Sequence, residues 1–149
     1  MSIDLDALIA EAVALVEDAE PELVPVVLGR SRVGVRFVPM MGSAWRDLVL
    51  KHPPRTDVMQ DVNLGYNVDA VVAAYPNVAL VDGDDVDDMI REDAEGKPFS
   101  KWPTVWGALT STGRKEVATE IWAAHELLPE KVVEAAGKAS AGLRKKKRS

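Results

Sequence analysis

Leu23–Met40 reads LVPVVLGRSRVGVRFVPM, and the reading of this stretch decides the fold. Val24, Val26 and Leu28 alternate with outward positions up to the loop Gly29–Arg32, after which Val33, Val35 and Phe37 alternate with Gly34, Arg36 and Val38. Period-two alternation on both sides of a Gly-containing loop predicts a β-hairpin. Pro25 lacks a backbone donor, which places the first strand at a sheet edge. A lone hairpin is marginal in water, so its apolar face must pack on helices.

The flanking sequence supplies them. Before the hairpin, Leu5, Leu8, Ile9, Ala12, Leu15, Val16 and Ala19 recur at helical spacing, with acids largely off the stripe, and Pro21 ends the run. After it, Ser43 is a candidate cap for a helix through Trp45, Leu48 and Val49 that stops at His52-Pro53-Pro54. A polar connector leads to Asn67, a good N-cap, and to Val68, Val71, Val72 and Tyr75 on one helical face ended by Pro76. The segment from Asn77 reads as a short apolar run, an Asp82-Gly83 turn and a short acidic helix, followed by a loop over residues 95–103. Pro103 suits the first turn of a helix that turns Trp106 and Leu109 inward. The next helix carries Val117, Ile121 and Leu128 on one stripe with Trp122 beside it, and a last helix runs through Val132, Val133 and Ala136. The expected fold is therefore α+β and predominantly helical: a β-hairpin near the N-terminus packed against several short helices. Residues 1–137 are expected to form a single α-rich globular domain and 138–149 a flexible basic tail.

Composition narrows the chemistry. The 149 residues contain no cysteine, so disulfides, thiolate metal sites and cysteine nucleophiles are excluded. The first residues lack a basic n-region and no apolar run approaches the length of a membrane span, so a soluble cytoplasmic protein with no membrane partner is expected. The net charge is −6, yet five of the 18 basic residues fall in the last six positions. An acidic body opposes nucleic acid at long range, and a five-charge tail offers only salt-sensitive, sequence-blind contacts. No specific nucleic-acid partner is expected.

The familiar site patterns fail on inspection. Asp82–Asp88 resembles a calcium loop in its acids, but Val86 and Asp87 stand where an EF-hand wants a ligand and a glycine. Gly29–Gly34 has no Lys-Ser/Thr after its second glycine, so it is not a phosphate loop. His52 ends a helix, His125 lies at the boundary of a packed one, and neither has a Ser/Asp partner pattern. No carboxylate pair is singled out by spacing. No catalytic residue, metal site or cofactor is expected, which favours a binding protein over an enzyme. The large anchors Trp45, Trp102, Trp106 and Trp122 read first as core, with Trp102 the one suspected at an interface.

Three stretches carry a resemblance: RFVPMMGSAWRDLVLKHPP from Arg36, NLGYNVDAVVAAYP from Asn63, and WGALTSTGRKEVATEIWAAHELLP from Trp106. With Lys51-His52-Pro53-Pro54 and Leu64-Gly65-Tyr66-Asn67 as their most distinctive pieces, they resemble the tail assembly chaperones of long-tailed phages of actinobacteria, over most of the chain from the hairpin onward. The resemblance implies a protein that coats and solubilises the tape measure protein while the tail tube polymerises, works in the host cytoplasm, and is absent from the mature virion. It also implies two forms, the longer made by programmed ribosomal frameshifting and contacting the tail tube protein; this chain would be the shorter.

Lys145-Lys146-Lys147 takes on meaning there, because lysine codons force an adenine-rich, slippery stretch into a gene that otherwise has GC-rich codons available. Shielding a helical client calls for a hydrophobic groove, for which Trp45, Tyr66, Trp102 and Trp106 are the candidates, and many copies along one client imply self-association. The competing readings are a small structural head–tail adaptor, an enzyme using a carboxylate pair, and a regulator acting through the basic tail.

Overall fold

The computed structural model describes residues 2–127. Its α+β architecture is a four-stranded antiparallel sheet packed against short helices. Helix α1 spans Leu5–Glu17, capped by the Asp4 carboxylate on the Ala7 N–H. The hairpin follows as β1 (Glu22–Leu28) and β2 (Ser31–Phe37), turned by Gly29 at φ 64°. Glycine at the first position of a two-residue loop matches the twist of the strands it joins. Strand β1 is the sheet edge, as Pro25 requires. The residue facing Pro25 is Gly34, where a Cβ would come within 2.5 Å of the Leu23 side chain.

Between β2 and its next partner lie three helices, α2 (Gly42–Leu50), α3 (Met59–Leu64) and α4 (Val68–Ala73). Asn67 caps α4 through its side chain, accepting from the Ala70 N–H. Ser43 caps nothing: α2 begins one residue earlier, at Gly42, with Met41 in the cap position and no side-chain bond. Helix α3 forms where a polar connector was expected, closed by Gly65 at φ 86°.

The acidic segment departs most from expectation. Asp82-Gly83 does turn the chain, but into a second hairpin, β3 (Ala79–Asp82) and β4 (Asp85–Asp87), rather than into a helix. Pairing of β3 with β2 supplies the long-range ladder that makes the sheet four-stranded. Backbone ladder bonds won over the helical charge pattern, and Val81 faces Val86 across the turn. Met89, buried at φ 63°, redirects the chain into a small exposed ribbon of β5 (Ile90–Glu92) and β6 (Pro98–Ser100), the latter where a loop was expected. Helix α5 (Trp102–Ala108) has Pro103 in its first turn, and α6 (Ser111–Trp122) runs into a π-helical turn, Ala123–Leu127.

One core joins these layers: Val24, Val26, Val35 and Phe37 from the sheet meet Val68, Val71 and Val72 from α4 and Val117 and Ile121 from α6. At Gly113 α6 lies against β1: a Cβ there would make ordinary contact with Val26 at 3.6 Å and press on the Thr110 hydroxyl at 3.3 Å. Leu128, the helix through Val132, Val133 and Ala136, and the tail with Lys145, Lys146 and Lys147 lie outside the described residues.

Candidate partner-binding surface

The four aromatic residues named as groove candidates are all core. Trp45, Tyr66, Trp102 and Trp106 are only 2–5% exposed. They stand in two pairs: Trp45 meets Tyr66 edge-on at 5.7 Å, and Trp102 meets Trp106 at 6.0 Å. Trp102 Nε1–H donates to the Val72 carbonyl at 2.7 Å, which ties α5 to α4. In this conformation none of the four offers an open face to a partner.

The first pair extends into a polar hub that sequence reasoning missed. His125 stacks on Trp45 with ring centroids 4.3 Å apart. Its Nδ1 lies 2.6 Å from the Ile121 carbonyl, which can only accept, so the proton sits on Nδ1. Nε2 is then free to accept from the Met40 N–H at 2.9 Å, with the Tyr75 hydroxyl 3.1 Å away. That hydroxyl donates to the Val38 carbonyl at 2.6 Å. Trp45 Nε1–H donates to Glu126 at 2.7 Å. Burial lowers the His125 pKa and holds the ring neutral. Burial, with the Glu126 charge second, pushes the Tyr66 hydroxyl up to about 12. The Nδ1 bond stays within the helix, at Ile121, whereas the Nε2 bond from the Met40 N–H fastens the π-helical turn to the link between β2 and α2, and the Trp45–Glu126 bond fastens it to α2. A π-turn shifts the side-chain phase by one residue, which brings His125 and Glu126 onto the cluster. No local motif announces such a turn in the sequence.

The two short motifs carrying the family resemblance are joined to each other. The Asn67 N–H donates to the His52 carbonyl at 2.9 Å. Next to His52-Pro53-Pro54, Arg55 donates through its backbone N–H, Nε and Nη2 to the fully buried Asp61, and Nη2 also reaches Asp69 at 3.0 Å. Asp61 also accepts from the Val68 N–H at the start of α4. The Arg55 guanidinium brings the Asp61 pKa down to about 2, even against desolvation. These bonds position α3 and α4; they present nothing to a ligand.

The clefts differ in character: one of about 730 Å³ has Arg36 and Asp88 in its lining. Another, of about 510 Å³, lies between α3 and α6 and is lined by Gln60, Asn63, Leu64, Ala118, Thr119 and Trp122, all uncharged. Among the described residues no group of three His, Asp or Glu side chains is arranged to hold a metal ion. The acids of the Asp82–Asp88 run are spread along a hairpin, and Asp87 pairs with Arg91 at 2.7 Å. Among the described residues no helix is long and apolar enough to cross a membrane.

The surface that stands out is α1. None of its residues is buried, and its apolar stripe lies open: Leu5 63%, Leu8 54%, Ile9 53% and Leu15 67% exposed. Single exposed hydrophobics are ordinary, whereas a row of four on one helical face marks an interaction surface. The first basic residue of the chain is Arg30, so α1 is also wholly anionic. No protein-family model, curated protein or solved structure matches this chain.

Proposed function

We propose that this chain is a non-enzymatic tail assembly chaperone of a long-tailed bacteriophage, holding the helical tape measure protein in solution until the tail tube encloses it. The observation that carries the reading is the open apolar stripe of α1 over a well-packed core. A helical client lays its own apolar stripe against such a face. The net charge of −6 keeps a loaded complex apart from its neighbours. The client surface therefore moves from Trp45, Tyr66, Trp102 and Trp106, which are core, to Leu5, Leu8, Ile9 and Leu15. In this reading the chain is the shorter of two products, self-associates along its client, and acts in the host cytoplasm outside the mature virion. The longer product reaches the tail tube protein.

The test is co-expression with the tape measure protein. The client should move from the pellet to the soluble fraction with the wild-type chain and stay in the pellet without it; a client equally soluble in both would sink the proposal. Intact-mass analysis of products from the native gene checks the two-form logic separately. It should find a minor product joined near Lys146 or Lys147.

A further inference from the structure

Projecting α1 down its axis, at 3.6 residues per turn, sorts its side chains into three zones. Leu5, Leu8, Ile9, Ala12, Leu15 and Val16 make one apolar band about 17 Å long, with Val13 at its edge beside Asp6; Val13 and Val16 are half-buried, and Leu5, Leu8, Ile9 and Leu15 are open. Asp4, Glu11 and Asp18 line one border at seven-residue intervals, and Asp6 and Glu17 line the other. Alanines 7, 10 and 14 fill the back. The band is thus fenced by carboxylates on both sides, and residues 1–29 hold seven acids against no Lys or Arg.

This fence selects the occupant. A second copy of α1 would set its own carboxylates against these in either orientation, because both borders are acidic: like borders meet in an antiparallel pair and opposite ones in a parallel pair. The chain's own basic run, Arg144–Arg148, has only Leu143 as an adjacent large apolar residue and cannot supply the complementary stripe. A helix with apolar residues at alternating three- and four-residue spacing and Lys or Arg along both borders satisfies band and fence together.

We propose that the open face of α1 is a docking surface for a cationic amphipathic helix of another protein, whose apolar residues cover Leu5, Leu8, Ile9 and Leu15 and whose Lys or Arg side chains meet the bordering carboxylates. This deepens the client-binding reading and rests on it, since it names the chemistry of the client segment. The charge rows set orientation and encounter rate, and the apolar band sets residence time.

Two synthetic helical peptides of about 20 residues, matched to the length of α1 and its flanks, test it. They share the leucine spacing and differ only in carrying Lys or Glu at the border positions. Fluorescence anisotropy with the full chain should give micromolar binding of the Lys peptide, weakened at least about tenfold between roughly 50 and 500 mM salt, and no binding of the Glu twin. The doubly substituted chain Leu8→Asp/Leu15→Asp should lose the Lys peptide with its circular dichroism unchanged. Glu11→Lys/Glu17→Lys should weaken the Lys peptide and admit the Glu twin. Equal binding of both peptides, binding of neither, or a dimer of the wild-type chain that Leu8→Asp/Leu15→Asp dissolves would each overturn the proposal. Co-expression with the tape measure protein keeps the two ideas apart. A client still solubilised by Leu8→Asp/Leu15→Asp sinks the α1 surface and leaves the chaperone standing. A Lys peptide bound by a chain that solubilises no tape measure protein does the reverse.

Discussion

Helices α4 and α1 are both amphipathic, both begin with a side-chain cap, and both present valine, leucine or isoleucine at helical spacing. In α4 that face is sealed: Val68, Val71 and Val72 lie among the sheet, α5 and α6. In α1 it is open. The difference lies in how each helix is anchored. Helix α4 sits within the connection from β2 to β3, with the Asn67–His52 bond and the Asp61–Val68 bond at its start and the Trp102–Val72 bond near its end. Helix α1 buries none of its residues fully, and its borders carry acids that a core would have to desolvate at a cost of several kcal/mol each. Periodicity marks which face of a helix is apolar. What covers that face is decided elsewhere.

The sharpest way to break this comparison is to place the same charge on each helix. Val71→Asp buries an unpaired carboxylate and should unfold the domain, costing more than about 4 kcal/mol by urea titration. Trp102→Ala, which removes a buried indole and its bond to the α4 backbone, should cost about 3–5 kcal/mol in the same titration. Asp61→Ala strips Arg55 and the Val68 N–H of their acceptor and should cost about 3 kcal/mol, lowering the thermal midpoint by several degrees.

A smaller effect comes from pH at the hub. His125 has a lowered pKa when folded, so the unfolded chain takes up its proton first as pH falls. The stability this contributes is complete above the ordinary imidazole value of about 6.5 and is lost progressively below it. Tyr75 and Glu126 are the other titratable groups at the ring; His125→Gln should flatten the fall in midpoint between pH 7 and 5 relative to wild type. The least effect belongs to α1. Leu8→Asp/Leu15→Asp should stay within about 0.5 kcal/mol of wild type, and a loss comparable with that of Val71→Asp would mean that α1 has a covered face after all.

Legibility in the sequence followed the range of the forces involved. The first hairpin was readable because alternation, Gly29 and the edge proline all speak within a few residues, and α4 because Asn67, its valines and Pro76 do. The second hairpin had its own signal in Val81-Asp82-Gly83, but the acids after it argue equally for a helix start. What tips the balance is β2, over 40 residues away in the chain, offering Gly34, Val35 and Arg36 as ladder partners. The hub at His125 had no signal, because its partners at Met40, Trp45 and Tyr75 lie 50–85 residues away.

By itself, then, the sequence determined the cysteine-free chemistry, the acidic charge with its base-free first 29 residues, the edge-strand hairpin, the capped helix α4 and the amphipathic character of α1. The sequence read Trp45, Trp102 and Trp106 first as core; only the tertiary structure decided between core and groove for them and for Tyr66, made the acidic run a strand pair, and left the stripe of α1 open. Local propensity is written in neighbouring residues. Burial depends on which distant surfaces meet, because removing apolar area from water requires a second surface that no short stretch contains.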